Sequence, residues 1–241
     1  MVETIDVKAV FDLDNCLYQY DENAEALFTE AYAQTLEHFG IEASEDFSKI
    51  VNHNMMYDHD AMREIFADLG VCFDTFHDVA HKFAIDIFRD RVYAPPGLTE
   101  LFNAIAPENK VILTHGSRAW SEAMLTKIGV RHTIHDDHIL SIDHDEIAGQ
   151  RKDKSPAPFE IAADRLGAHP SELVFFDDLP ENHVHANALG MRTVLIHWGE
   201  EIADALDHIT DSVHDVTTWL KAHLHRQKKT DAIDTPKPPQ P

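Results

Sequence analysis

The chain is poor in cysteine, poor in basic residues and free of long apolar runs, and each shortage excludes something. Two cysteines, Cys16 and Cys72, in 241 residues leave no disulfide framework and point to reduced thiols in a cytoplasmic protein. Twenty Lys and Arg stand against 43 Asp and Glu, a formal charge of −23. Such a balance repels a nucleic-acid backbone and an anionic membrane alike, so neither is expected as a partner. An anionic small substrate would need a local cation and a few placed lysines to reverse the field. No apolar stretch approaches the roughly 20 residues that span a bilayer, and the N-terminus lacks the pattern of a signal peptide. The eighteen histidines are scattered, without the paired Cys/His spacing of a zinc site, and are expected in solvated or capping roles. No internal repeat is visible.

What is there organises around Val7 to Tyr18. Val7, Ala9, Val10 and Phe11 form a short apolar run that reads as a buried strand. It stops at Asp12, Asp14 and Asn15, whose side chains are costly to bury. Asp12 and Asp14 alternate with Leu13, so both carboxylates point to one side while Leu13 returns to the core. Alone, this D-x-D is equally compatible with a plain turn.

From Glu22 to about Tyr93 the pattern is helical, with four helical stretches and no credible strand between them. Pro95-Pro96-Gly97 closes this insert. Beyond it strands and helices alternate. Val111 to Leu113 is a strand ending at Thr114-His115-Gly116, and Leu173 to Phe176 a strand ending at Asp177-Asp178. Thr193 to Ile196 is a further strand, and Arg131 to Ile134 a weaker candidate. Such alternation predicts an α/β fold with a doubly wound parallel sheet. Ile209, Val213, Val216 and Leu220 suggest a last amphipathic helix, followed by a polar, Pro-rich tail. The expected organisation is a core of residues 1–18 and 96–226, a helical cap of 19–95 and a flexible tail of 227–241.

Ligands of such sheets sit beyond the carboxyl ends of the strands. Asp12, Asp14, Thr114, Asp177 and Asp178 all fall at that edge, with Asn182 a turn further on and Lys152-Asp153-Lys154 between the groups. Four converging carboxylates drive each other to protonate. A hard cation resolves the conflict, and Mg²⁺ prefers a few carboxylates together with water and phosphate oxygens. The parts fit phosphoryl transfer, in which positioning and charge stabilisation dominate.

Phe11-Asp-Leu-Asp-Asn-Cys-Leu-Tyr18, Ile112-Leu-Thr-His115, Lys154 with Pro156 and Phe159, and Phe176-Asp-Asp-Leu-Pro-Glu-Asn182 occur in that order. Together they resemble the four motifs of the haloacid dehalogenase-like hydrolase superfamily. The resemblance implies a Rossmann-like core with the first strand in mid-sheet and a mobile helical cap. It makes Asp12 the nucleophile and Asp14 the general acid/base, with Thr114 and His115 binding phosphate. Asp12, Asp14 (through its carbonyl) and Asp178 would bind Mg²⁺, supported by Asp177 and Asn182. For the phosphate-binding lysine, the nearer prolines favour Lys154 over Lys152. Cys16 stands where Thr is commoner.

The Asp-Asn-x-Leu-Tyr ending is most similar to the pyrimidine 5′-nucleotidase branch, which implies a phosphatase of nucleoside 5′-monophosphates. A sugar phosphate or phosphoglycolate-type metabolite is the alternative. A 2-haloacid dehalogenase of this fold would be expected to lack Asp14, and an inactive binding module to have lost a catalytic position. Within the cap, Asn54 and Tyr57 are the candidates for substrate selection. The expected partner is a small phosphorylated metabolite, and the oligomeric state is not legible.

Overall fold

The computed structural model describes residues 4–20, 23–57, 59–147, 149–199 and 207–234, without the side chains of 56–60 and 228–234. The chain enters through β1 (Lys8–Phe11) and leaves the sheet at once, passing through β2 (Gln19–Tyr20) into four helices. These are α1 (Ala24–His38), α2 (Glu45–Tyr57), α3 (His59–Asp68) and α4 (Phe73–Phe88). It returns along β3 (Val92–Tyr93), antiparallel to β2, so a short two-stranded ribbon carries both crossings. Then follow α5 (Leu98–Ala104), β4 (Lys110–Leu113), α6 (Arg118–Lys127), β5 (Ile139–Leu140), α7 (Ala157–Arg165) and β6 (Leu173–Asp177). The chain ends with α8 (His183–Ala188), β7 (Arg192–Ile196), β8 (Asp211–Val213) and α9 (Val216–Asp234).

Six strands form one parallel sheet in the order β5-β4-β1-β6-β7-β8. Its central strands are apolar on both faces because helices cover both. Ala9, Phe11, Ile112 and Phe176 enter the core cluster on one face. Val10, Val111, Leu113 and Phe175 enter the cluster on the other. This alternation is the period of two that a strand imposes on its side chains. The four inserted helices have a core of their own, built on Tyr32, Leu36, Val51, Met62, Phe66 and Phe76. No described helix is long and apolar enough to cross a membrane.

Three expectations are corrected. The segment Arg131–Thr133 is a 3₁₀ turn, held by Arg131 pairing with Glu122 and Asp136; the fifth strand lies further on, at Ile139–Leu140. The last helix does not reach back to Ile209. Asp215 accepts from Thr217 Oγ1 at 2.6 Å and from the Thr218 amide at 3.0 Å, capping a helix that starts at Val216. That helix runs past Arg226 to Asp234, where a flexible tail was expected; residues 235–241 lie outside the described residues.

Candidate active site

The floor of the site is the carboxyl edge of β1, β4 and β6. Asp12 follows β1, and its amide donates to Phe176 O at 2.9 Å. That bond keeps the residue in the sheet register and buries its carboxylate, which is 6% exposed. Asp177 ends β6 and Asp178 follows it. Ligand oxygens of Asp12, Asp177 and Asp178 lie within 4.8 Å of one another.

Lys152 neutralises part of this charge. It is 2% exposed, and its ammonium donates to Asp12 Oδ1, to Asp177 Oδ2 at 2.7 Å and to Leu113 O at 3.2 Å. All three protons are thereby used. Burial works against the charge, but Asp12 and Asp177 outweigh it and hold the ammonium above its ordinary pKa. The lysine expected to serve here was Lys154. Its side chain is instead 71% exposed and paired with Asp153 at 3.0 Å. The reversal has a visible cause. The Lys152 amide donates to His115 Nε2 at 3.0 Å, which turns residue 152 inward. His115, expected as a phosphate ligand, lines the cavity above this floor and also supports the Lys152 loop.

Asp177 is saturated. Besides Lys152, it accepts from Asn182 Nδ2 at 2.9 and 3.0 Å and from the Leu179 amide at 2.9 Å. Asp178 accepts from Asn15 Nδ2 at 2.8 Å. Burial and then Asp177 push its pKa up to about 7, against the pull of Asn15. Burial, with Asp177, Asp178 and Asp14, likewise holds Asp12 well above the carboxylate range despite Lys152. Three converging carboxylates with one ammonium are an oxygen-rich, under-neutralised set. That donor chemistry fits a hard divalent cation at Asp12 and Asp178, with Asp177 already committed to Lys152 and Asn182.

Asp14 faces a different environment. Its Oδ1 accepts from Tyr18 Oη, from Tyr20 Oη at 3.0 Å and from Trp120 Nε1 at 2.7 Å. Burial and the neighbouring Asp14 raise both phenols well above their ordinary pKa, so both remain O–H donors. The other oxygen, Oδ2, lies 3.4 Å from Thr114 Oγ1. Trp120 is placed by the start of α6, where Ser117 Oγ accepts from the Trp120 amide at 3.3 Å. Gly116 makes room: a Cβ there would stand 2.7 Å from Trp120 Cδ1.

Above this floor lies a cavity of about 350 Å³. Its floor includes Asp12, Asp14, Thr114, Lys152 and Asp178, and its roof Phe28, Tyr32, Met55, His77 and His81 from α1, α2 and α4. The two histidine rings meet edge to face at 4.1 Å, and His81 packs 5.8 Å from Trp120. Asn54, expected to select substrate, is half-buried and does not line this cavity; its neighbour Met55 does. The side chain of Tyr57 lies outside the described residues.

The sequence reading missed Tyr18, Tyr20, Trp120, His77, His81 and Asn15. Tyr18 and Tyr20 left no usable signal either, since the turn at residues 15–17 breaks the alternation that follows Asp14. His77 and His81 lie a helical turn apart, but so do many core residues.

A model of the haloacid dehalogenase-like hydrolase family matches residues 9–188. No curated protein sequence matches the chain. Among solved structures, CbbY from Rhodobacter sphaeroides in complex with phosphate is similar over 87% of this chain and 94% of its own. The identity is 16% and the TM-score 0.62. A phosphatase of the same family from Thermococcus onnurineus is 15% identical, over 90% and 97% of the two chains, at a TM-score of 0.58. The L-2-haloacid dehalogenase RSc1362 is 18% identical over 91% and 99%, also at 0.58. At these identities the likeness is one of fold.

Proposed function

The chain belongs to the haloacid dehalogenase-like hydrolase family, and from that premise we propose that it is a Mg²⁺-dependent phosphatase of nucleoside 5′-monophosphates, pyrimidine nucleotides first. One observation carries the phosphatase reading: an aspartate stands at position 14 and is held in place through one of its oxygens. Three donors fix its Oδ1, leaving Oδ2 beside Thr114 to exchange a proton. A halide leaves as a weak base and needs no proton, whereas an alkoxide does.

Asp12 attacks phosphorus, the bond to the ester oxygen breaks, and Asp14 gives that oxygen its proton, which leaves an aspartyl-phosphate on Asp12. Asp14 then takes a proton from water as the water oxygen attacks phosphorus. The Asp12–phosphorus bond breaks and inorganic phosphate leaves. Lys152 orients Asp12 throughout, and Thr114 offers its hydroxyl to the phosphoryl oxygens. Bound Mg²⁺, held by Asp12, Asp178 and the Asp14 carbonyl, would supply charge neutralisation on the phosphoryl group.

The roof supports a flat, uncharged leaving group. Phe28 and Tyr32 stack at 6.1 Å, and with Met55 and the two imidazoles they form an aromatic wall with a polar edge, the surface a nucleobase fills. Among the described residues the roof helices bring no lysine or arginine to the cavity. Arg151, which does line it, comes from the Lys152 loop and is paired with Asp153 at 2.9 Å, so a carboxylate-bearing leaving group such as glycolate is less well matched. The test is a phosphate-release screen with Mg²⁺ across nucleotides, sugar phosphates, phosphoglycolate and 2-haloacids. Preferred turnover of nucleotides is expected. Preferred phosphoglycolate or haloacid turnover would reject the assignment.

A further inference from the structure

Among the described residues, only two other than glycine have a left-handed backbone, Asn15 at φ 55° and Trp198 at φ 50°. That conformation is strained for a residue that carries a Cβ, which crowds the following carbonyl oxygen. Asn visits it readily, but for a bulky residue such as Trp it is an outlier that the surroundings must impose. The two lie 183 positions apart in the chain, yet Trp198 Nε1 donates to Asn15 O at 2.5 Å. Asn15 in turn donates its side-chain amide to Asp178 Oδ2 at 2.8 Å. Both strained residues therefore belong to one chain of hydrogen bonds that ends on a carboxylate of the site.

We propose that Trp198 is a positioning residue for the cation-binding carboxylate Asp178: its indole N–H locks the left-handed turn at Asn15, and the turned Asn15 aims Asp178 at Asp12. The inference rests on the reading of Asp12 and Asp178 as cation ligands. Trp198 is well placed for such a task. Its amide donates to His214 O at 2.9 Å, its ring meets His214 edge on at 6.0 Å, and it packs against the main core cluster. The strand end after β7 is thus anchored on one side to the sheet and on the other to the loop after β1. Release of the indole bond frees the Asn15 carbonyl, and a relaxed Asn15 swings its amide away from Asp178. The carboxyl then loses the contact that fixes its plane. Such outer contacts typically carry about 10–100-fold in metal affinity.

A purely structural Trp198 would act on stability alone, so the test is a double-mutant cycle read in Mg²⁺ affinity. The full-length protein, Trp198→Phe, Asn15→Gly and the double variant are titrated with Mg²⁺ by calorimetry, and each is melted in chelator. Trp198→Phe keeps an aromatic ring against the core and drops the donor, and the melt reports any loss of packing separately. Asn15→Gly accepts the left-handed backbone without strain and drops only the amide. Trp198→Phe is expected to weaken Mg²⁺ binding by about tenfold and Asn15→Gly at least as much. The double variant should bind no more weakly than Asn15→Gly, because the indole acts only through that amide. Unchanged affinity in either single variant overturns the relay, as does a double variant whose losses multiply. A wild-type protein that does not bind Mg²⁺ rejects the cation reading itself, and the relay with it.

Discussion

At Asp12 the cost of burying a carboxylate is offset by Lys152, whose own burial is offset in turn by Asp12 and Asp177. Removing the lysine leaves two buried anions without a counter-charge, a loss of about 3–5 kcal/mol. Lys152→Ala should therefore lose stability on that scale in urea titrations, and Lys154→Ala should stay within about 0.5 kcal/mol of wild type, as exposed substitutions do. Equal effects would contradict the placement of the two lysines. The sequence could not separate them, because the local prolines favour residue 154 while the deciding contact, His115 with the Lys152 amide, spans 37 positions of chain. Gly116 gives a second test. A methyl group there meets Trp120 at 2.7 Å, in a side chain only 1% exposed that cannot yield. Gly116→Ala is expected to push Trp120 off Asp14 and lower kcat on the order of 10²-fold, the scale of a misplacement of about 1 Å. Wild-type kcat in that variant would show that the indole bond to Asp14 is idle.

Among the elements, α4 contributes the polar edge of the roof. His77→Phe and His81→Phe keep ring volume and remove the ring nitrogens, so they should change relative kcat/KM among nucleobases more than they change the thermal midpoint. An unaltered ranking in both variants would move specificity elsewhere in the cap. The junction of α5 with β4 offers a pH test. Lys110 donates to Phe102 O at 2.6 Å and Ile105 O at 2.5 Å, closing the end of α5. Burial lowers its pKa from 10.5 to about 8. Between these values the unfolded chain binds more protons than the folded one. The contribution of Lys110 is therefore least favourable below pH 8 and improves as pH rises towards 10.5. Stability of wild type measured against Lys110→Met should climb across that window, and a constant difference would contradict the burial argument. The elements legible in the sequence included those with long or mostly apolar runs, β1, β4, β6, β7 and the cap helices. β5 and β8 were not legible, since two- and three-residue strands at the sheet rim carry no period.

On the scale of the whole molecule, the order of strand ends explains why the aspartates of the candidate site were legible and their supports were not. A parallel sheet delivers every strand end to one edge, so Asp12, Thr114 and Asp177 meet by topology alone. The groups that tune them arrive from the cap ribbon, α6 and the loop after β7, and no local pattern announces Tyr20, Trp120 or Trp198. Under the proposed function, the same arrangement would reconcile a chain of formal charge −23 with an anionic substrate, because Lys152 and a cation at Asp12 and Asp178 would reverse the field only where phosphate would sit. The central claim is attack by Asp12 on phosphorus followed by attack of water on that same phosphorus. The most direct measurement is turnover of uridine 5′-monophosphate with Mg²⁺ in ¹⁸O-water, by wild type and Asp12→Asn, with mass analysis of the phosphate and of the peptide bearing Asp12. Wild type should release phosphate carrying one ¹⁸O with no label in Asp12, and Asp12→Asn should release none. Label in the Asp12 carboxyl, or phosphate release by Asp12→Asn, would contradict the account.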